Sequence, residues 1–298
     1  MANPARSILI RVGLPTTHGL LVRTAVENGY DALVSAGSLW DNHKKRFIPA
    51  GTGLWELPSV AMDSAGFVAT AMHGGYRWSV AEYVAMVAEP RPGRRYPWAW
   101  WSQMDLCCEP QVAGDPAIVE QRVRGTAQLL SECRAEAERH NIPPPMPILQ
   151  GWKPMDYLLC ADLIERELGG QWPDMVGVGS VCRRQIEGPD GLLAVVKAIR
   201  GRLPPHVRLH LFGVKGDAIP ELQTGGGVAS VDSCAWDLAS RKEIIQARRE
   251  HTKGGATITE ATRAIPSSVA HRAGHMVWWM NAAKQRPDPP PRQLGLWW

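Results

Sequence analysis

Short apolar runs recur along the chain, each followed by a polar, helical or irregular stretch. Eight of them have strand character: 7–14, 31–37, 59–66, 96–106, 146–151, 175–181, 207–214 and 228–236. Most are near-continuous rather than alternating, the pattern of strands covered on both faces. Between them apolar positions follow a helical period. The clearest case is 116–140, where Val119, Val123, Leu130, Cys133 and Ala137 share one face. Asp115 is its N-cap candidate, Pro116 suits the first helical position, and the NIPPP stretch ends it. Weaker helical patterns cover 17–29, 79–89, 154–168, 191–202 and 237–250. Eight strands, most followed by a helix, predict an α/β fold of the (β/α)8 TIM-barrel kind over residues 1–250. Poor helical character after the second and seventh strands keeps a doubly wound open sheet as the alternative. Residues 251–286 read as a C-terminal helical extension, and 287–298 as a Pro-rich tail.

Composition narrows the class. With 45% hydrophobic and 21% charged residues in 298, a folded protein with a sizeable core is expected rather than disorder. A net charge of +4, carried mostly by arginine, is compatible with a nucleic-acid partner without demanding one. The six cysteines form no C-x-x-C pair and mostly sit in apolar runs, which argues against a disulfide framework and for a reducing compartment. An apolar run of only three residues precedes Arg11, and no apolar stretch approaches the roughly 20 residues of a membrane span. A soluble cytoplasmic protein is expected, with no membrane partner.

The polar residues that interrupt the strands fall at their C-terminal ends. Asp63 ends the third predicted strand, Asp105 the fourth, Gln150 the fifth, Gly179 and Ser180 the sixth, and Asp232 the eighth. In a (β/α)8 barrel that end carries the active site. Singly, each is more often a helix cap or a turn residue. Together they put three carboxylates and an amide at one mouth.

These segments resemble motifs of the tRNA-guanine transglycosylases, a family of (β/α)8 barrels. DSAGFV at 63–68 is similar to the family's D-S-G-G-F-Q, and DLCCEP at 105–110 to its D-E-C-x-P, with one extra residue before the proline. LQG at 149–151 matches V-Q-G, VGVGSV at 176–181 resembles the Gly-Gly-Leu strand, and LFGVKG at 211–216 resembles L-M-G-V-G. VDSCAW at 231–236 matches F-D-S-A-A-Y of the archaeal form. The resemblance spans roughly residues 55–240. It implies Asp232 as nucleophile and Asp63 as general acid/base. Asp105, Gln150 and Cys107 would line the purine edge, and Gly179 and Ser180 would meet the base carbonyl. Phe67 and Phe212 would stack on the base. Those residue types suit base exchange at a sugar C1′: one carboxylate holds the sugar covalently while a second moves a proton off and onto the bases.

The family's zinc module, C-x-C-x-x-C with a distant His, is missing, since Cys234 is the only cysteine beyond Asp232. His271 and His275 are four residues apart but have no evident supporting ligand in the sequence, so neither a metal nor a cofactor is expected. A barrel without the module resembles the phage and bacterial DpdA-type branch, which inserts 7-deazaguanine into DNA. The implied partners are DNA with a flipped or unpaired guanosine, a preQ0-like 7-deazaguanine base, and helper proteins; the implied compartment is the cytoplasm, that of the host for a phage protein. Arg183 and Arg184, directly after the sixth strand, are the expected backbone contacts. Arg91, Arg94 and Arg95 with Trp98, Trp100 and Trp101 form either a stacking and phosphate surface or simply the fourth strand with its preceding turn. The alternatives are the same exchange on tRNA, a non-catalytic accessory subunit, and a glycoside hydrolase barrel.

Overall fold

In the computed structural model, residues 8–89, 96–182, 184–225, 227–264 and 268–285 are described. Nine strands are β1 (Leu9–Leu14), β2 (Ala32–Ser35), β3 (Trp40–Asp41), β4 (Arg46–Phe47), β5 (Val60–Asp63), β6 (Ile148–Leu149), β7 (Met175–Val178), β8 (Arg208–Leu211) and β9 (Val228–Ser233). Seven form one curled parallel sheet in the order β5-β2-β1-β9-β8-β7-β6. Ten helices accompany it: α1 (Leu20–Glu27), α2 (Gly66–His73), α3 (Val80–Ala88), α4 (Pro116–Arg139), α5 (Pro154–Glu167), α6 (Leu192–Arg202), α7 (Ile219–Gly225), α8 (Ala235–Lys253), α9 (Ile258–Ala264) and α10 (Val269–Gln285).

The expected fourth strand is a briefer feature than its sequence pattern. Residues 99–103 run between the two edge strands and bond to both sides. Ala99 N and Ser102 N donate to Val60 and Met62 of β5, at 2.8 and 2.9 Å, while Met146 N donates to Trp101 O at 2.8 Å, just before β6. Parallel bridges pair Met62 with Trp101 and Ser102 with Met146. Trp98 and Trp101 are core residues, their indole N–H groups bonded to Val87 O and Pro143 O, so these two rings are not a stacking surface. Arg91, Arg94 and Arg95 lie outside the described residues.

The two weak stretches have local causes. After β2 the chain forms the antiparallel β3–β4 pair and a 3-10 turn at Thr52–Glu56 instead of a long helix. After β8 it makes a 3-10 turn at Gly216–Ala218 and the seven-residue α7. Elsewhere the sequence signals hold: Asp115 Oδ1 caps α4 by accepting from Ala117 N at 2.7 Å, and the apolar stripe of Val119, Val123, Leu130, Cys133 and Ala137 is buried. Beyond the sheet, α10 packs against α1, α8 and β1 and buries Ala273, Met276, Met280 and Ala283. Among the described residues, no helix is long and apolar enough to cross a membrane.

Candidate active site

A hydrogen-bonded chain links the strand ends. Asp105, in the loop after residues 99–103, is buried; its Oδ1 accepts from Ser64 Oγ at 2.7 Å and its Oδ2 from Gln150 Nε2. Ser180 Oγ lies 2.7 Å from Gln150 Oε1 and 2.9 Å from Glu109 Oε2, and it accepts from Cys108 N at 2.7 Å. One hydroxyl hydrogen therefore faces two acceptors, which compete for it. Tyr76 Oη completes the other end, 2.9 Å from Ser64 Oγ and 3.0 Å from Asp105 O. Burial pushes the Asp105 carboxyl up, the bonds from Ser64 and Gln150 pull it back, and the Glu109 charge pushes it up again.

The close approach of these groups explains two glycines. A Cβ on Gly179 would lie 2.2 Å from Gln150 Nε2, and one on Gly66 would lie 2.9 Å from Asp105 Oδ1. Neither position has room for a side chain. Ala65 and Ser180, in contrast, hold left-handed backbone with φ of 72° and 52°.

Asp63 ends β5 and is only half-buried; its Oδ2 accepts from Ala65 N at 3.1 Å. Its pKa is raised to about 7, first by desolvation and then by the charges of Asp105 and Asp232. Asp232, on β9, is buried and oriented: Gly213 N donates to its Oδ1 at 2.9 Å, and His210 Nε2 stands 3.4 Å from the same oxygen. Burial lowers the His210 pKa, and its Nδ1 pairs with Ser230 Oγ at 2.8 Å. Arg11 is the register partner of Asp232 across the β1–β9 pair. Burial lowers its pKa, and attraction to Asp31 and Asp232 offsets part of that cost. Trp100, His210 and Phe212 pack beside them, with His210–Phe212 centroids 4.6 Å apart and His210–Trp100 centroids 4.7 Å apart.

The structure thus joins Asp105, Gln150 and Ser180 directly, and it places Asp63 and Asp232 within electrostatic reach of one another. Gly179 is part of the same wall, its carbonyl accepting from Tyr157 Oη at 2.8 Å. Cys107 is buried nearby; burial pushes its thiol up to about 12, and its Sγ donates to Gly66 O at 3.8 Å, so it is a neutral lining group. Phe67 is half-buried in the first turn of α2.

Arg184 corrects the expectation of a phosphate contact. It is 4% exposed, and all five of its N–H groups are engaged: Nε and Nη2 with Ser180 O, Nη1 with Trp152 O and Asp190 O, and Nη2 also with Tyr157 Oη. Its guanidinium also lies 3.9 Å from the Trp152 ring centroid. It braces the loop carrying Ser180 from inside. Arg183 lies outside the described residues.

Sequence reasoning assigned no role to Ser64, Tyr76, Glu109, Arg11 or His210. Arg11 and His210 did leave a signal, as lone polar residues inside apolar strands. Glu109 lies within the DLCCEP motif but was given no role there, and Tyr76, from an irregular loop, left no signal.

A family model described as "DpdA: DeoxyPurine in DNA protein A" matches residues 33–279. Among curated proteins no match is found.

Proposed function

The chain belongs to the DpdA family, and from that family's role in deoxypurine modification of DNA we propose that it is a guanine transglycosylase, exchanging guanine in DNA for a 7-deazaguanine base. The observation that carries this reading is the pairing of two unlike carboxyls beside a hydrogen-bonding wall. Asp63 has its pKa raised to about 7, and Asp232 is oriented by a backbone N–H and lies in register with the buried Arg11. The wall is Asp105–Gln150–Ser180.

The steps follow from those groups. Gly213 N and His210 occupy the Oδ1 side of Asp232, so Oδ2 is the attacking atom. It bonds to C1′ of a guanosine turned out of the helix, the C1′–N9 bond breaks, and Asp63 gives its proton to the departing guanine. The incoming 7-deazaguanine then gives its N9 proton to Asp63, N9 bonds to C1′, and Asp232 leaves with its electron pair. Two displacements retain configuration. A group with pKa near 7 gives and takes a proton at comparable cost, as both half-reactions require. Asp105 reads N1–H and the exocyclic amine, a pattern shared by guanine and its 7-deaza analogues. Gly179 N is bonded to Leu149 O, so the donor assigned to the base carbonyl is the next N–H, that of Ser180. Residues 99–103 are read as the eighth strand, which makes the curled sheet a (β/α)8 barrel with the site at its C-terminal mouth.

The test is incorporation of labelled preQ0 into guanine-containing DNA, with tRNA in a parallel reaction. Label in DNA with the wild type and none with Asp232→Ala is the expected result. Label confined to tRNA, or equal labelling by the variant, refutes the reading.

A further inference from the structure

His271 and His275 acquire in three dimensions the ligand that the local sequence lacked. Glu243, on α8, reaches across to both: its Oε2 lies 2.8 Å from His275 Nε2 and 3.4 Å from His271 Nε2. The two rings meet edge-on with centroids 4.6 Å apart, and the three ligand-capable atoms lie within 4.8 Å of one another. We propose that Glu243, His271 and His275 bind a divalent transition metal, zinc fitting best, and that the ion fastens α10 to α8.

Three features carry this assignment. Two histidines at i, i+4 present their imidazoles on one helix face, and a carboxylate completes a His2Glu set of the kind zinc takes with water as fourth ligand. The spacing suits an ion as well. Ligand bonds of about 2.0–2.1 Å in tetrahedral geometry put ligand atoms about 3.3 Å apart, which brackets well with 2.8 and 3.4 Å. Finally, only one carboxylate oxygen faces both rings. Without an ion His275 donates from Nε2 to that oxygen, and His271 Nε2 stands 3.4 Å from the same atom. A cation takes the Nε2 position of each ring, whose proton moves to Nδ1, and lets all three lone pairs point at one centre. His275 Nδ1 is buried with no partner among the described residues, so Nε2 is the atom this ring offers. The side chains of Glu243 and His271 are 58% and 42% exposed, which leaves the outer side open to the water ligand.

The position has a structural meaning. Helix α8 begins two residues after β9, the strand that bears Asp232, while α10 packs on β1, the neighbour of β9. An ion joining α8 to α10 ties together the helices over that strand pair. The proposal does not depend on the transglycosylase reading.

The experiment titrates the full chain, stripped with a chelator, with Co2+ and follows the visible absorption of tetrahedral cobalt and the unfolding temperature. Expected is saturation at one equivalent per chain, displacement by Zn2+, and a higher unfolding temperature with either ion. Glu243→Gln and His271→Ala change exposed side chains and leave the core intact; each should weaken binding at least about tenfold. No saturable absorption, or binding unchanged in both variants, overturns the proposal.

Discussion

Ala65 and Ser180 stand where the transglycosylase motifs carry glycine, and both hold left-handed backbone, at a cost of roughly 1–2 kcal/mol each for an L side chain. Ser180 has something to set against that cost, because its hydroxyl meets Glu109, Gln150 and Cys108 N in the interior. Ser180→Ala keeps the strain and loses those bonds, whereas Ser180→Gly loses the bonds and relaxes the backbone. Urea unfolding should find both variants destabilised, with Ser180→Gly the more stable of the two by about 1 kcal/mol. Equal stabilities would mean that the backbone there is not strained. At Asp63 the direction of the pH effect follows from its raised pKa. The folded protein keeps the Asp63 proton up to about pH 7, while the unfolded chain releases it near the ordinary value of 3.8. Between those limits the folded state holds the extra proton, so stability falls as pH rises. Asp63→Asn removes the penalty; it should match the wild type near pH 4 and exceed it by about 4 kcal/mol at pH 8, while losing base exchange. In the wild type, kcat/KM for guanine release should decline above about pH 7 as Asp63 loses its proton.

At the scale of elements, the loop after β7 is held from within rather than offered to solvent. Arg184→Ala removes the five guanidinium bonds that brace it from within and leaves the Ser180 and Trp152 carbonyls without their charged donor. The expected cost is about 2–4 kcal/mol of stability together with weaker base binding. The salt dependence of DNA binding should be unchanged; a phosphate contact would instead reduce the salt slope by about one. This loop also marks the limit of what the sequence could reveal. Charge is visible in a sequence and burial is not, so an arginine just after a strand reads as surface. The strand-end carboxylates were legible because a parallel strand buried on both faces makes a lone Asp conspicuous, as in VASVDS. Glu109 was illegible because its partner, Ser180, lies 71 positions away and only the sheet order brings them together. The fourth apolar run was legible as extended chain but not in its extent, since tryptophan-rich composition fits both a long strand and a short bridge flanked by core indoles.

For the whole molecule, the helical extension is bound into the main core. Met276 and Met280 are fully buried, and α10 rests on α1 and β1 as well as α8. Met280→Ala should therefore cost about 2–5 kcal/mol and shift one common unfolding transition, followed both by far-UV circular dichroism and by tryptophan fluorescence. Two separated transitions, with only one displaced, would show an appended unit that folds alone.

The position of β9 sets an order of events during synthesis. Among the described residues, the last strand, β9, fits between the first, β1, and β8, and it brings Asp232 with it. A nascent chain leaving the ribosome presents β1 with its β9 edge open, and Arg11 has no counter-charge on that side. The hydrogen-bonded wall, built from residues between Ser64 and Ser180, is translated earlier. On the proposed reading, a growing polypeptide carries the groups assigned to the base before it carries Asp232, the group assigned as nucleophile. If Asp232 is the nucleophile, translation order alone withholds reactivity towards DNA from unfinished chains.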